Sequence, residues 1–198
     1  SKKIYFVAAT LRPETMYGQT CCFVSPKIDY GIFDNGDSYY ITTERAYKNM
    51  SYQKITPQRG YYKPVVTISG KDFIGTKINP PLAQQSNLRI LPMETVIAKG
   101  TGVVTCVPSN SPDDFMTLSD LKNKSAYYGI DNDWVKDLEV LPIIDTEKYG
   151  NLTAKTLCEE MKIQSPKDAV KLAEAKKIAY KEDYYSGVMA VGKYKGEK

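Results

Sequence analysis

Histidine is absent from all 198 residues. That absence excludes a Ser-His-Asp or Cys-His relay, a His-ligated zinc ion and an imidazole proton shuttle near neutral pH. Cysteine occurs four times, at Cys21, Cys22, Cys106 and Cys158, and never as a C-x-x-C pair that could hold a metal or exchange disulfides. This usage is that of thiols in a reducing cytoplasm, the compartment expected for the chain. No run of about 18 apolar residues occurs and no cationic segment leads into an apolar stretch, so neither a membrane span nor a signal peptide is expected. A strong excess of charge is missing too: 27 basic against 23 acidic residues leave +4, so any nucleic-acid contact should be local. What is present suits one packed core. A chain of this length, 42% hydrophobic, is too apolar for disorder and long enough to bury roughly 70% of its unfolded surface. It enters a strand-like run at once and stops on a charged segment, Lys195 to Lys198, so it reads as a single domain, 1–198, excised from a larger chain.

Residues 1–110 carry mainly strand signals. The runs Ile4 to Ala9, Cys21 to Val24, Tyr39 to Thr42, Val65 to Ile68, Ile90 to Met93 and Val103 to Val107 are rich in Val, Ile, Tyr, Phe and Thr. Turn residues such as Asn35-Gly36-Asp37 and Pro80-Pro81 separate them, and one short helix is predicted near Thr43 to Met50. Many short strands point to a barrel or sandwich. Residues 111–198 are mainly helical in pattern. Ser111-Pro112-Asp113-Asp114 offers a capping serine, proline at the first helical position and a carboxylate three residues after the cap, with Phe115, Leu118 and Leu121 following at helical spacing. The same device recurs at Ser165-Pro166-Lys167-Asp168, ahead of an apolar stripe beginning Ala169, Leu172, Ala173, and a further short helix is predicted over Leu152 to Met161. From Lys155 onward 10 lysines face 7 acids, which places the basic excess in this helical tail.

Two segments carry chemistry-bearing residues. The first is Ala9-Thr10-Leu11-Arg12-Pro13-Glu14-Thr15-Met16-Tyr17-Gly18-Gln19-Thr20. It reads either as an ordinary strand end with Glu14 paired to Arg12, or as a wall of hydroxyls and amides around an oxygen-rich ligand. The second runs from Gly100-Thr101-Gly102 through Val103-Val104-Thr105-Cys106-Val107-Pro108 to Ser109-Asn110-Ser111-Pro112-Asp113-Asp114. Its G-x-G precedes a strand, so the dinucleotide fingerprint is not met. Asp114 at the third helical position either closes a capping box or reaches toward a cation. A thiol esterase using Cys22 or Cys106 lacks the imidazole that would form its thiolate.

Both segments resemble the editing domain, the connective polypeptide CP1 inserted in the catalytic core, of leucyl-tRNA synthetases of the eukaryotic and archaeal cytosolic type. The texts T-L-R-P-E-T-M-Y-G-Q-T and G-T-G-V-V-T-x-V-P-S-x-S-P-D-D match in order, spacing and neighbours, and the isoleucine and valine enzymes differ at the first. Ile163-Gln164-Ser165-Pro166, Leu172 to Lys176 and Tyr184-Tyr185 are similar to the helical insertion of the eukaryotic form, so the resemblance spans nearly the whole chain and looks closest to fungal enzymes.

The resemblance implies an α+β fold: a barrel-like editing domain of short strands with peripheral helices and a C-terminal helical insertion. The activity it implies is hydrolysis of the ester of mischarged leucine tRNA, carrying norvaline, isoleucine or methionine, with leucyl-tRNA spared. Carried over by position, Thr15 is similar to the threonine that blocks cognate leucine, Asp114 to the aspartate that holds the substrate ammonium, and Thr10 and Arg12 to residues near the scissile ester. Leu11 stands where the bacterial pattern has a second threonine. Cys22, Asn110 and Ser111 resemble residues near the terminal ribose, Met93 looks like the strand flanking the adenine site, and Thr105 and Val107 belong to the same binding set. The route expected is attack by a positioned water, with no metal or cofactor in this domain; ATP and magnesium belong to the synthetase core. The partners implied are the 3′ end of leucine tRNA and the rest of the synthetase chain, with the protein a monomer. The editing domain of a sister synthetase and a non-catalytic tRNA-binding barrel, with some of its 16 tyrosines stacking on bases, stand as alternatives.

Overall fold

The computed structural model describes residues 2–198; the first residue, Ser1, lies outside the described range. The chain divides into two compact units, one holding residues up to Leu11, Cys22–Thr76 and Arg89–Thr105, the other Arg12–Cys21, Lys77–Leu88 and Cys106–Lys198.

The first unit holds most of the strands. β1 (Lys3–Phe6), β4 (Ser38–Thr42), β3 (Asp29–Asp34) and β5 (Val66–Ser69) form a four-stranded sheet in that spatial order. β1 runs parallel to β4, while β3 is antiparallel to both β4 and β5. A second sheet places β2 (Cys21–Val24) between β6 (Ile90–Pro92) and β7 (Val103–Cys106). The expected β-strand over Ile4 to Ala9 ends at Phe6, and β3 has no counterpart in the sequence reading, because Asp29, Gly31 and Asp34 break its apolar pattern. Gly31 is required there, since a Cβ would meet the Phe33 ring at 2.4 Å.

Aromatic packing fills this unit's core. Phe33 stacks on Tyr47 at 4.0 Å, and Tyr30 and Phe6 meet the edge of Phe73. The Tyr30 hydroxyl donates to Gly102 O at 2.6 Å, and Thr43 Oγ1 donates to Gly100 O at 2.6 Å while accepting from Ala46 N. The G-x-G turn thus anchors the start of α1 (Glu44–Tyr52), a structural role that explains why it does not resemble a phosphate loop.

The second unit is built on α2 (Pro112–Asn123), α3 (Thr153–Glu160) and α4 (Ala169–Ser186), with a two-stranded ribbon of β8 (Ile144–Asp145) and β9 (Val188–Met189). Met116, Tyr149, Leu157, Cys158, Ile163, Leu172, Ala175 and Ala179 form its helical core. The second capping device acts differently from expectation. Ser165 Oγ accepts from Lys167 N within a turn, Asp168 Oδ2 accepts from Gln164 N, and α4 begins only at Ala169. The buried stripe is accordingly Leu172, Ala175, Ala179, with Ala169 and Ala173 exposed. The mixed architecture of short strands and peripheral helices is the one expected, arranged as three separate sheets among the described residues.

Candidate active site

Pro13 opens a tight 3-10 turn, Pro13–Gly18, that presents the first motif on the second unit. Thr15 is buried there, and its Oγ1 donates to Arg12 O at 2.8 Å while its N–H donates to the same oxygen at 3.2 Å. The pair of bonds holds one rotamer of an already stiff β-branched side chain. Gly18 admits no side chain, since a Cβ would sit 2.6 Å from Ile143 Cγ1 and 3.4 Å from Ser109 Oγ. Thr20 N donates to Cys106 O at 3.0 Å, so the two motifs are joined backbone to backbone.

The second motif ends in an N-cap, where Ser111 Oγ accepts from Asp114 N at 3.4 Å. The reciprocal half of a capping box is absent. Ser111 N–H donates to Val107 O, and the Asp114 carboxylate instead accepts from Val107 N at 2.9 Å, drawing the loop before the helix into a closed turn. Burial pushes the Asp114 carboxyl up to about 7; the Val107 N–H, the Ser111 hydroxyl and Lys176 favour the charged form, while Asp113 opposes it. A carboxylate so placed titrates in the working range of cellular pH and gains from any cation brought against it.

The centre of the cluster is a residue absent from the sequence reading. Asp183, buried on α4, accepts from Arg12 Nη1 at 3.1 Å and Asn110 Nδ2 at 3.0 Å through Oδ2, and from Thr153 Oγ1 at 2.9 Å through Oδ1. Burial raises its pKa, against the charge of Arg12 and the hydrogen bonds of Asn110 and Thr153. Arg12 is held further by Glu14, 2.8 Å from Nε, the pair that the strand-end alternative contained, and by the Tyr180 ring 5.1 Å from Cζ. Asn110 Oδ1 in turn accepts from Ser109 Oγ at 2.6 Å. The one sequence signal for Asp183 is its spacing: it continues the Leu172, Ala175, Ala179 stripe, the face on which a carboxylate needs partners.

Of the residues singled out from sequence, Arg12, Thr15, Val107, Asn110, Ser111 and Asp114 therefore fall within the second unit. Thr10, Leu11, Cys22, Met93 and Thr105 belong to the first. There Leu11 is fully exposed, Cys22 lies buried opposite Ile90 in the β2–β6 register, Met93 N donates to Val24 O, and Thr105 lies on β7. Cys106 is buried against Thr20 Oγ1 at 3.1 Å, and burial holds its thiol well above the ordinary range; Cys158 is pushed up to about 12 for the same reason. Neither thiol suits a nucleophile. Among the described residues no three His, Cys, Asp or Glu side chains converge to hold a metal ion.

Solved structures share this fold. The crystal structure of GlLeuRS-CP1 superimposes with a TM-score of 0.91 at 37% identity, covering 100% of this chain and 73% of that one. The editing domain of the cytosolic leucyl-tRNA synthetase of P. knowlesi does so with a TM-score of 0.90 at 32% identity, covering 100% of this chain and 77% of that one. The protein is thus an editing domain of the aminoacyl-tRNA synthetase class. No protein-family model matches the sequence. The cytoplasmic leucine–tRNA ligase of Saccharomyces cerevisiae is 73% identical over 199 aligned residues, covering all of this chain and 18% of that protein. The chain belongs to the family of cytosolic leucyl-tRNA synthetase editing domains, and it spans about a fifth of the length of the curated relatives it matches. The cytoplasm is the compartment named for those relatives, as expected for this chain, and no helix among the described residues is long and apolar enough to cross a membrane.

Proposed function

We propose that this domain hydrolyses the ester joining a wrong amino acid to the terminal adenosine of leucine tRNA, and spares leucyl-tRNA. Water attacks the ester carbonyl, the carbon–oxygen bond to the ribose breaks, and the ribose hydroxyl leaves carrying a proton. The products are the free amino acid and uncharged tRNA. Since the ester is already activated, orientation and stabilisation of the developing oxyanion supply the rate.

One observation carries this reading: Arg12 and Asn110, from motifs 98 residues apart, donate to the same oxygen of Asp183. The motifs singled out for this chemistry form one polar cluster, with Asp114 and Thr15 on the same two segments. In the proposed roles, Asp114 receives the substrate ammonium, a charge-assisted bond contributing about 1.5–3 kcal/mol, and so selects aminoacyl esters over other esters. Thr15 is the steric gate. Arg12 lies near the ester with its guanidinium already oriented by Asp183 and Glu14. Thr10 and Leu11 precede Arg12 directly in the chain and are assigned with it; Ser111 and Asn110 are assigned to the ribose, and Cys22, Met93, Thr105 and Val107 to the remaining substrate contacts. The hydrolysis requires no cofactor. In the whole synthetase the ATP and magnesium chemistry belongs to the core outside this chain, and the partners are the tRNA 3′ end and that core, in a monomeric enzyme.

A second sieve is needed on energetic grounds. One methylene in an apolar pocket is worth about 1–3 kcal/mol, too little for a synthetic site to reject norvaline or isoleucine well enough. The test is release of labelled amino acid from norvalyl-tRNA and leucyl-tRNA, with Asp114→Ala alongside. Loss of norvaline alone, abolished in the variant, is expected; equal release of leucine, or an Asp114→Ala protein that is fully active, would overturn the assignment.

A further inference from the structure

The basic excess of the sequence has a second location in the first unit. Between Glu44 and Val66 stand Arg45, Lys48, Lys54, Arg59 and Lys63 against the single acid Glu44, so this stretch alone carries the +4 of the entire chain. α1 and the turn after it form one lobe. Gly60 N donates to Ser51 O at 3.4 Å and Ile55 N to Met50 O at 3.3 Å, folding the Thr56–Lys63 turn back on the end of the helix. Gly60 has a φ of +73°, and a Cβ there would lie 3.3 Å from the Tyr52 hydroxyl, so glycine permits the close return.

All five cations are exposed, and no ion pair among the described residues engages any of them. Two lie over aromatic rings, Lys48 Nζ 5.1 Å from the Tyr62 centroid and Arg59 Cζ 6.0 Å from that of Tyr52. Tyr52 and Tyr61 are about half exposed, at 54% and 52%. The acids on the neighbouring turn are Asp34, which is bonded to Lys2 at 2.7 Å, and Asp37. The helical tail is different: Lys155 and Lys176 pair with Glu159 and Asp113, and Glu174 and Glu182 are interleaved on α4.

From this placement we infer that the lobe of α1 and the Thr56–Lys63 turn is a docking surface for an RNA phosphate backbone. Unpaired cations beside half-exposed tyrosines match a chain of phosphates with bases available to stack. The inference rests on the proposed RNA substrate, and it assigns to this surface a share of the tRNA grip.

The experiment uses this chain and a fluorescein-labelled, uncharged leucine tRNA transcript, read by anisotropy at two salt concentrations. Arg45→Glu with Lys48→Glu, and Arg59→Glu with Lys63→Glu, are compared with Lys177→Glu and Lys181→Glu on α4. Reversal in the lobe is expected to weaken binding at least about tenfold and to lower the slope of log K against log salt by about 1–2, while the α4 pair changes affinity less than about twofold. Glutamine replacements at the same lobe positions keep the result interpretable if reversal unfolds the domain, which circular dichroism melting checks. Equal losses from lobe and tail, no loss from the lobe, or displacement of the tRNA by poly-glutamate as readily as by unlabelled RNA would each overturn the inference, the last by pointing to an acidic protein surface. Binding of uncharged tRNA involves no hydrolysis, so a failure of the hydrolytic assignment is read separately through norvaline release.

Discussion

Thr15 owes its proposed selectivity to a hydroxyl that already has a partner. Because Oγ1 is bonded to Arg12 O, the side chain cannot swing aside to admit a branched substrate without breaking that bond. Thr15→Ala is expected to raise hydrolysis of leucyl-tRNA by about 10–200-fold, the worth of one small steric contact, with norvaline release retained. Labelled leucine release measures it directly. Asp183 makes a different prediction. Its removal leaves Arg12, Asn110 and Thr153 without their shared acceptor, so Asp183→Ala should cost about 3–5 kcal/mol in urea unfolding and depress norvaline release, with Asp183→Asn intermediate in both. A wild-type rate in a folded Asp183→Ala protein would show that Arg12 needs no orientation.

Each element that carries the site owes its form to a short piece of sequence. Pro13 starts the 3-10 turn, and Ser111 with Pro112 starts α2. α4 delivers Asp183 because its stripe of small side chains, Ala175 and Ala179, lets the helix lie close in its core. Gly187 ends that helix where a Cβ would meet Asp183 O at 2.3 Å. At this level the prediction concerns Gly18. Alanine there overpacks against Ile143 and should destabilise by about 1–3 kcal/mol, seen as a lower melting temperature. Because Gly18 lies three residues beyond Thr15 in the turn, Gly18→Ala should also relax leucine sparing, whereas Ser111→Ala should lose only about 0.5–2 kcal/mol of helix capping.

The composition of the entire chain sharpens the expected pH dependence. With no histidine present, Asp114 is raised into the neutral range, at about 7. The sign follows from the shift. The folded carboxyl binds its proton more tightly than the unfolded one, so Asp114 contributes stability below the ordinary carboxylate pKa and loses it as pH rises through about 7. Asp114→Asn should therefore flatten the melting temperature between about pH 5 and about pH 8. In its proposed role Asp114 binds the substrate ammonium in the ionised form, so kcat/KM for norvalyl-tRNA should climb through an acid limb near 7 that the same variant removes. An unchanged limb would place the ionisation elsewhere.

The legible parts were those governed by neighbours in sequence. Proline and serine at Pro112 and Ser111 announce a helix start, the β-branched run Val103-Val104-Thr105 announces β7, and the wording of the two motifs names the family through residues that stay adjacent in any fold. Even locally the rules divide: Ser165-Pro166 has the signature of Ser111-Pro112, yet it makes a turn because Asp168 bonds back to Gln164 N. β3 was illegible because pairing with β4 and β5, not its own alternation, holds its polar and glycine residues in a sheet. Composition and wording narrowed the chemistry on their own: without histidine no imidazole relay can form, and the two motifs carry the family's wording. The meeting of Arg12 with Asp183 across 171 residues, and the turn of the Asp114 carboxylate toward Val107 in place of its own cap, depend on packing. A buried charge takes whichever donors the folded chain brings within about 3 Å, and sequence spacing does not encode that distance.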